Sequence, residues 1–282
     1  MEGAISSRPN TRVAVVTGGN KGIGFEVCRQ LASDGEVTVV LTARDETRGT
    51  EAVEKLRALG LTDDDVVFHQ LDITDESSIA SLGDFLKTRF GKLDILASFN
   101  STVREPIDAA KKAVETNYYG TKHVTQALLP LLLQSSSSSQ GKIVCVSSDY
   151  GLLKLIGDEE VRRDLDDIDN LTEERVDEVL HKFLSDFEAG ALEGRGWPAG
   201  FSASKVTLVA TNAFARIMAR RHPTLALRVN CADPGYVKTD MTMGSGVLTP
   251  EEGACSVVGV ALLPDGGPTG KYFTKGREAS FV

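Results

Sequence analysis

The sequence predicts an α/β protein in which helices cover both faces of a doubly wound, parallel sheet of seven strands. Two observations carry this prediction. Short runs rich in Val, Ile and Leu alternate along the chain with longer segments of helical periodicity, and a glycine cluster separates the first run from the first helical segment. Alternation of this kind is typical of parallel strands joined by crossover helices. A length of 282 residues suffices for one such domain with a sizeable core.

The predicted strands are short β-branched or apolar runs, as expected for strands buried on both faces. In chain order they are 12–17, 37–43, 66–72, 93–97, 142–148, 226–231 and 271–274. The predicted crossover helices repeat apolar residues at three- and four-residue spacing. They are 22–33, 47–59, 75–90, 109–133 (interrupted near Pro130), 202–221 and 250–263. No internal repeat or linker divides the chain, so we expect residues 1–282 to form a single domain.

The residues between Ser148 and Phe201 do not follow this alternation and indicate a helical insertion over about residues 150–200. Its centre, 172–187, has Thr172 as a candidate N-cap, acidic residues in the first turn and apolar residues at helical spacing. Two interpretations are open: a segment that packs a small core of its own, or a substrate flap over the carboxyl ends of the strands, where open α/β sheets bind ligands. The flap is favoured, because the insertion connects two positions expected to line the site.

Composition excludes several classes of function. A formal net charge of −9 argues against nucleic-acid binding, which requires a basic surface. The four cysteines and four histidines lack metal-ligand spacing, so we expect no metal site and reduced thiols within the core. The N-terminal residues lack the apolar stretch of a signal peptide, and no apolar run reaches membrane-spanning length. We therefore expect a cytoplasmic protein with neither a membrane nor a nucleic-acid partner.

The glycine cluster is the segment Thr17-Gly18-Gly19-Asn20-Lys21-Gly22-Ile23-Gly24. Glycines there allow the backbone to turn sharply and to approach a pyrophosphate closely, and the helix N-terminus offers free N–H groups to the phosphates. Because the cluster follows a strand and precedes a helix, it predicts a Rossmann-type dinucleotide site. The residues expected to hold the cofactor here are Gly18, Asn20, Lys21, Gly22, Ile23 and Gly24.

The end of the second predicted strand bears on the choice of cofactor. An acidic residue there would bind a ribose 2′-hydroxyl and repel a 2′-phosphate. Here the strand ends in Ala43-Arg44, and Lys21 lies in the glycine loop. Two cations converging on that ribose favour NADPH, with Arg44 able to bind phosphate in a fork geometry. Asp45, one residue later, argues for NADH instead. The alternative to a role in cofactor binding is that Lys21 and Arg44 are both solvated surface residues.

Several ordered segments make the chain similar to the short-chain dehydrogenase/reductase family. In particular it resembles the monomeric carbonyl reductase branch, which includes plant menthone, neomenthol and salutaridine reductase-like proteins. Besides the glycine loop, the segments are Leu41-Thr42-Ala43-Arg44-Asp45, Phe68-His69-Gln70-Leu71-Asp72, Thr116-Asn117-Tyr118-Tyr119-Gly120, Val146-Ser147-Ser148, Gly196-Trp197-Pro198, Pro234-Gly235-Tyr236-Val237-Lys238-Thr239-Asp240, and Ala261-Leu262-Leu263-Pro264-Asp265-Gly266-Gly267.

The resemblance implies hydride transfer from NADPH to a carbonyl carbon and a catalytic tetrad of Asn, Ser, Tyr and Lys. Asn117 would hold a water in a proton relay, Ser148 would polarise the carbonyl, and Lys205 would bind the nicotinamide ribose and lower the pKa of the tyrosine. The remaining cofactor contacts implied are Asp72 and Ile73 near the adenine and Pro234, Gly235, Val237 and Thr239 near the nicotinamide. The same branch implies a monomer, because the insertion covers a helix face used elsewhere for oligomerisation.

Two departures from the family pattern matter. In Phe201-Ser202-Ala203-Ser204-Lys205 the lysine is present, but Phe201 stands at the tyrosine position and cannot donate a proton. Loss of a positioned general acid lowers rates by a factor of about 10² to 10⁴. The family's Asn-Asn-Ala-Gly motif reads Ser98-Phe99-Asn100-Ser101, and the stretch from Ser101 to Asn117 resembles a shortened form of the longer plant relatives.

Three hypotheses of function follow. The first is an NADPH-dependent reductase of a small hydrophobic ketone or aldehyde, slowed by Phe201 and using Ser148 and an ordered water. The second is a catalytically silent NADP(H)-binding sensor or scaffold, and the third is a chain altered so that the family resemblance outlasts the activity. The presence of Asn117, Ser148 and Lys205 favours the first, whereas Phe201 and Phe99 favour the other two.

Overall fold

The computed structural model describes residues 11–99, 106–134, 140–200, 202–222 and 227–282, and these form one eight-stranded sheet covered by helices. The sheet order is β3-β2-β1-β4-β5-β6-β7-β8. The strands are β1 Arg12–Val16, β2 Val37–Ala43, β3 Val66–Gln70, β4 Ile95–Ser98, β5 Gly141–Val146, β6 Leu227–Asp233, β7 Tyr272–Thr274 and β8 Arg277–Ala279. All neighbours pair in parallel except β7 and β8. The predicted doubly wound α/β fold is confirmed.

The prediction of seven strands was one strand short, because β8 follows β7 as an antiparallel hairpin. Lys275 and Gly276 form its turn with φ values of 51° and 71°, both in the left-handed region. A two-residue turn with two positive φ values matches the twist of an antiparallel pair. The strand β8, Arg277–Ala279, is short and exposed throughout, so it lacks the apolar pattern from which a strand is recognised.

The helices divide between the two faces of the sheet. Helices α1, α2 and α9 bury one apolar cluster, and α3, α4, α5 and α8 bury a second, larger cluster. Their bounds are α1 Gly22–Ser33, α2 Glu46–Ala58, α3 Glu76–Arg89, α4 Ile107–Ala113, α5 Thr121–Leu133, α6 Glu159–Asp166, α7 Glu173–Glu188, α8 Ser202–Arg221 and α9 Pro250–Ala261. Apart from the helix predicted over 109–133, the predicted elements agree with these bounds to within two residues at each described end.

The helix predicted over 109–133 was placed correctly, but its irregularity was predicted at the wrong position. The regular helix is replaced by a π-helical segment, Val114–Gly120, between α4 and α5. Pro130 lies inside α5 without ending it. Because proline has no N–H, the Gln126 carbonyl loses its helical donor. Both Pro130 and Gln126 are exposed, so water can hydrogen-bond to that carbonyl.

The insertion contains α6 and α7, and Thr172 caps α7 as predicted by accepting a hydrogen bond from the Arg175 N–H at 3.3 Å. The apolar side of α7 is buried in the larger cluster and packs against α8 and α4. The insertion therefore shares the main core instead of forming a separate one. Its role as a substrate flap, like the single-domain organisation of residues 1–282, stays a prediction.

The sheet order reverses between β1 and β4. From β1 the chain adds strands outward to β3 on one side, and from β4 it adds strands outward to β8 on the other side. Ligands of open α/β sheets bind at such a switch point, outside the carboxyl ends of the strands. This edge brings together the residues that follow β1, β2, β3, β5 and β6, and these include most of the site residues singled out from the sequence. Among the described helices, none is both long and apolar enough to cross a membrane.

Candidate functional site

The glycine loop after β1 is shaped by close contact between its own backbone segments. Gly18 and Gly22 have φ values of 64° and 56°, which side chains disfavour. A Cβ on Gly24 would lie 2.4 Å from the Gly18 carbonyl oxygen, so only glycine permits α1 to start this close to the loop. The Gly19 N–H donates to the Thr42 carbonyl at 2.9 Å, which fastens the loop to β2.

The N-terminus of α1 is open to an anion. Lys21 occupies the N-cap position with extended backbone and makes no side-chain capping hydrogen bond, and the first turn contains no acidic residue. Free N–H groups at a helix N-terminus and the positive end of its dipole together attract phosphate. The glycine cradle and the uncapped helix therefore fit the pyrophosphate of a dinucleotide.

Arg44 and Asp45 follow β2, and of their two side chains only that of Asp45 is engaged by the described residues. The Asp45 carboxylate accepts a hydrogen bond from the Arg48 N–H at 2.9 Å and caps α2. The Arg44 guanidinium is exposed and has neither a hydrogen bond nor an ion pair with the described residues. The acidic group that argued against a phosphorylated ribose is thus engaged by its own helix, while the basic group remains available.

Lys21 forms an ion pair across the site. Its Nζ donates to Asp240 Oδ2 at 2.7 Å, joining the glycine loop to the segment after β6. A Cβ on Gly22 would lie 3.4 Å from Thr239 Cγ2, so the two segments are in contact range there too. The ion pair lowers the pKa of the Asp240 carboxyl. The predicted convergence of Lys21 and Arg44 on one ribose stays a prediction.

The remaining cofactor positions lie at the same edge. Asp72 Oδ1 accepts from the Thr74 N–H at 3.0 Å and from Thr74 Oγ1 at 2.7 Å, which shapes the turn after β3. Ile73 packs beside Gly120, where an added Cβ would meet Ile73 Cγ1 at 2.8 Å. Gly235 has a φ of 80°, and Val237 is buried and bridges to Leu248.

Asp233, at the end of β6, is a buried carboxyl that the sequence analysis did not single out. It accepts hydrogen bonds from the Gly235 N–H at 2.7 Å, Thr274 Oγ1 at 3.0 Å and the Tyr272 hydroxyl at 3.2 Å. Burial raises the pKa of the Asp233 carboxyl above its usual range, although these hydrogen bonds act in the opposite direction. It holds the turn through Pro234 against the last strands of the sheet.

Asn117 lies in the π-helical segment and is only 1% exposed. Its Nδ2 donates to Thr207 Oγ1 in α8 at 3.2 Å, which ties the irregular helix to the helix carrying Lys205. π-helical turns are frequent at functional sites because they displace side chains from regular helical positions. The irregularity in this helix therefore falls at the residue singled out from the sequence.

Ser148 follows β5 and caps a short 3₁₀ turn, Asp149–Gly151. Its Oγ donates to Asp149 Oδ1 at 2.9 Å and accepts from the Tyr150 N–H at 3.2 Å. The neighbouring Ser147 points the other way, into the protein, where its Oγ donates to Asn212 Oδ1 at 2.7 Å. Of the two serines, Ser148 is the one whose hydroxyl lies at the open edge of the sheet.

Lys205 lies in the first turn of α8. Its Nζ donates to the Ala199 carbonyl at 2.7 Å and sits 5.2 Å from the centroid of the Tyr150 ring. Tyr150 thus contacts Ser148 through its backbone N–H and Lys205 through its ring, a juxtaposition that no sequence motif predicted. Phe201 lies outside the described residues, and so do Asn100 and Ser101 of the altered segment after β4.

Phe99 is the described part of that altered segment. Its N–H donates to Thr17 Oγ1 at 3.0 Å, and its ring packs against the apolar cluster beneath α1 and α9. The segment thus still braces β4 against the start of the glycine loop. Phe99 occupies apolar surroundings instead of exposing its ring.

The fold and this edge define a dinucleotide-binding oxidoreductase of the α/β class. The family model for short chain dehydrogenase matches residues 12–158. The chain is 43% identical to short-chain dehydrogenase/reductase 1 of Saponaria officinalis, with 100% of both chains covered. It is also 43% identical to a (+)-neomenthol dehydrogenase of Arabidopsis thaliana, over 96% of this chain and 98% of that one. The chain belongs to the short-chain dehydrogenase family.

A solved structure agrees with this assignment. The salutaridine reductase of Papaver somniferum superposes with a TM-score of 0.87 at 42% identity, covering 93% of this chain and 99% of that one. The alignment with the Saponaria protein spans 307 positions, so that relative contains residues for which this chain of 282 has no counterpart. Their predicted location, between Ser101 and Asn117, stays a prediction.

Proposed function

We propose that this chain is an NADPH-dependent carbonyl reductase that reduces a small hydrophobic ketone or aldehyde, at a rate lowered by Phe201. The observation that supports it most directly is the grouping of Ser148 and Lys205 around Tyr150, beside a glycine loop shaped for a pyrophosphate. A carbonyl-polarising hydroxyl and an ammonium at one end of a dinucleotide cleft are the elements that such a reduction needs.

The residues fit NADPH at both ends. The glycine loop from Gly18 to Gly24 would hold the pyrophosphate, and Arg44, free of described partners, would hold the 2′-phosphate. The adenine would lie near Asp72 and Ile73, and Pro234, Gly235, Val237, Thr239 and Lys205 would hold the nicotinamide half. A relative from Mus musculus, carbonyl reductase [NADPH] 3, is 39% identical over 90% of this chain. When bound, the reduced cofactor supplies a hydride.

Ser148 and Asn117 would prepare the substrate and a proton path. The Ser148 hydroxyl donates to Asp149 in the structure and would turn to donate to the substrate oxygen instead. Asn117, fixed to α8 through Thr207, would hold a water behind Lys205. Hydrogen-bond donors aimed at the oxygen that gains negative charge are most effective when they are fixed in advance.

Phe201 favours a second candidate function, a catalytically silent NADP(H)-binding sensor or scaffold. Its ring supplies no proton, so the reaction would lack its expected acid. The two candidates differ in turnover and agree on cofactor binding. Menthone and salutaridine, which appear in the names of relatives, are suitable ketones for a test of turnover.

Cofactor preference is tested first, by titrating the chain with NADPH and with NADH. We expect tighter binding of NADPH, and Arg44→Ala should raise the NADPH dissociation constant about 10- to 100-fold, the loss of one charged hydrogen bond. NADH binding should not change, because NADH has no 2′-phosphate. Arg57→Ala, at the far end of α2 and paired with Asp63, is the control. Equal affinity of the parent chain for both cofactors would contradict the proposal.

Turnover is tested next, as NADPH oxidation with menthone and with salutaridine, for the parent chain and for Phe201→Tyr. The reductase proposal expects ketone-dependent oxidation by the parent and faster oxidation by the variant. If the parent binds NADPH but only the variant oxidises it, the silent candidate is correct. Ser148→Ala should lower kcat in whichever chain is active.

We also infer a monomer. Helix α7 covers α8 and α4, and its buried Glu173 pairs with cations on both α5 and α8, so this helix face is not free to pack on a second copy. Sedimentation equilibrium should give a single species of the chain mass, 30.2 kDa. A stable dimer or tetramer would contradict this inference.

A further inference from the structure

Reduction of a carbonyl needs a proton for the oxygen as well as a hydride for the carbon, and Phe201 cannot supply one. If the proposed function, on which this inference rests, is correct, another group near Ser148 and Lys205 must supply that proton, and a tyrosine hydroxyl is the candidate of matching chemistry. All five tyrosines of the chain lie in the described residues. Tyr118 and Tyr272 are buried, and the Tyr236 hydroxyl is hydrogen-bonded to Ser245 Oγ at 2.5 Å. The Tyr119 ring lies beside α5, with Lys122 Nζ 5.9 Å from its centroid.

Tyr150 is the tyrosine placed at the site. Its N–H donates to Ser148 Oγ at 3.2 Å, and the Lys205 ammonium sits 5.2 Å from its ring centroid. The side chain is 49% exposed, and its hydroxyl makes no hydrogen bond with the described residues. The Tyr150 ring thus lies beside the lysine of the tetrad, on the turn that Ser148 caps, and it is open to solvent.

The turn that carries Tyr150 is held in a fixed position. The Gly151 carbonyl accepts from Asn212 Nδ2 at 2.9 Å, and Asn212 Oδ1 accepts from Ser147 Oγ at 2.7 Å. Asn212 is buried and lies seven residues after Lys205 in α8, on the same helix face. One helix therefore positions both the lysine and the turn that presents the phenol.

Two other hydroxyls near Lys205 are engaged elsewhere. Ser202 Oγ is buried and donates to the Pro198 carbonyl at 2.6 Å. Thr207 Oγ1 accepts from Asn117 Nδ2 at 3.2 Å and donates to the Ser204 carbonyl at 3.1 Å. Neither has a free proton directed to the open edge of the sheet.

We propose that Tyr150 is the proton donor of this chain, replacing the phenol that position 201 lacks. As hydride adds to the carbonyl carbon, the π electron pair moves onto the oxygen, the Tyr150 O–H bond breaks and a new O–H bond forms on the alcohol. The hydride comes from the reduced nicotinamide dinucleotide of the proposed function. The Lys205 ammonium offsets the charge left on the tyrosinate, and water returns the proton because the side chain is half-exposed.

The test compares Tyr150→Phe, Phe201→Tyr and the double variant with the parent chain. The ketone is whichever of menthone and salutaridine binds more tightly to the complex with NADP⁺. Tyr150→Phe should lower kcat by about 10² to 10⁴, and adding Phe201→Tyr should restore turnover. Tyr119→Phe is the matched control, because the Lys122 ammonium lies 5.9 Å from that ring centroid in the helix layer under α7. It should keep the parent rate.

Calorimetry supplies a readout that does not depend on turnover. In the NADP⁺ complex no hydride is available, so ketone binding reports on hydrogen bonding alone. Tyr150→Phe should weaken ketone binding about three- to tenfold, the loss of one neutral hydrogen bond, and leave NADP⁺ affinity unchanged. The inference would be overturned if Tyr150→Phe reduced the ketone at the parent rate. It would also be overturned if the parent chain bound the ketone but did not reduce it. Failure of the parent to bind NADPH refutes the proposed function itself, and this is seen before any ketone is added.

Discussion

Glu173 is a buried carboxylate that joins α7 to the two helices beneath it. It is 5% exposed, and its carboxylate pairs with Arg221 of α8, with Lys122 Nζ of α5 at 3.3 Å and with Gln126 Nε2 at 3.0 Å. Substitution of Glu173 by Gln removes the charge with little change of volume. This variant therefore measures how strongly the ion pairs fix the insertion to the main core.

The structure limits the size of the expected effect. Removing one member of a buried ion pair costs about 3–5 kcal/mol when its partner is left uncompensated. Here Lys122 keeps Asp177 at 3.0 Å, and the Arg221 side chain is 45% exposed, so water can solvate it. The loss is then closer to that of a charged hydrogen bond, about 2 kcal/mol. At about 2.1 cal/mol/K of unfolding entropy per residue, that lowers the melting temperature of a 282-residue chain by about 3 to 4 °C.

The assay is urea unfolding together with thermal unfolding, and Glu174→Gln is the control. Glu174 lies in the same first turn of α7 and shares the effect of the helix dipole, but it is exposed. We expect Glu174→Gln to lower the free energy of unfolding by less than about 1 kcal/mol. Equal effects of the two substitutions would show that the ion pairs do not hold α7. NADPH affinity should be unchanged in both, because the glycine loop belongs to the opposite helix layer.

Three further predictions concern the core and the cleft. Gly24→Ala should lower the free energy of unfolding by about 1–3 kcal/mol and weaken NADPH binding, because the added Cβ would lie 2.4 Å from the Gly18 carbonyl oxygen. Gly83→Ala is the control: nothing lies within 4 Å of an added Cβ there, so this variant should stabilise the chain by about 0.5–1 kcal/mol. The raised pKa of Asp233 means that the folded chain binds this proton more tightly than the unfolded chain. Its contribution to stability therefore falls as pH rises above the usual aspartate pKa, and Asp233→Asn should remove that slope in urea unfolding measured from pH 4 to 8. Finally, a thiol reagent should label one cysteine, the exposed Cys255, in the native chain and all four in denaturant; rapid labelling of more than one native thiol would contradict the burial of the other three.

Much of the fold could be predicted from local patterns. The burial of both sheet faces makes the strands apolar throughout, and the amphipathic period of the helices marks their bounds. β8 could not be recognised, because it is exposed on both faces and its pairing depends on a turn with two positive φ values. The π-helical segment was missed for a related reason. It depends on how Asn117 and Gly120 pack against α8 and Ile73, which are distant in sequence.

The candidate site also contains residues that could be placed from the sequence and residues that could not. The glycine loop and Ser148 could be placed because each directly follows a strand, and the carboxyl ends of parallel strands meet at one edge. The role of Asp45 is local and depends on where α2 begins, because a start at Glu46 makes Asp45 the N-cap. The ion pair of Lys21 depended on tertiary structure, since its partner, Asp240, lies 219 residues away.

The sequence by itself determined the family, the doubly wound sheet, the dinucleotide loop and the loss of the phenol at Phe201. These follow from periodicity, from glycine positions and from the identity of single residues, all of which are local. Tertiary structure alone decided that Tyr150 lies under Lys205 and that Asn212 holds its turn. The physical reason is that a 3₁₀ turn after a strand has no preferred partner until α8 packs on the sheet. Only then do residues from β5 and α8 share one surface.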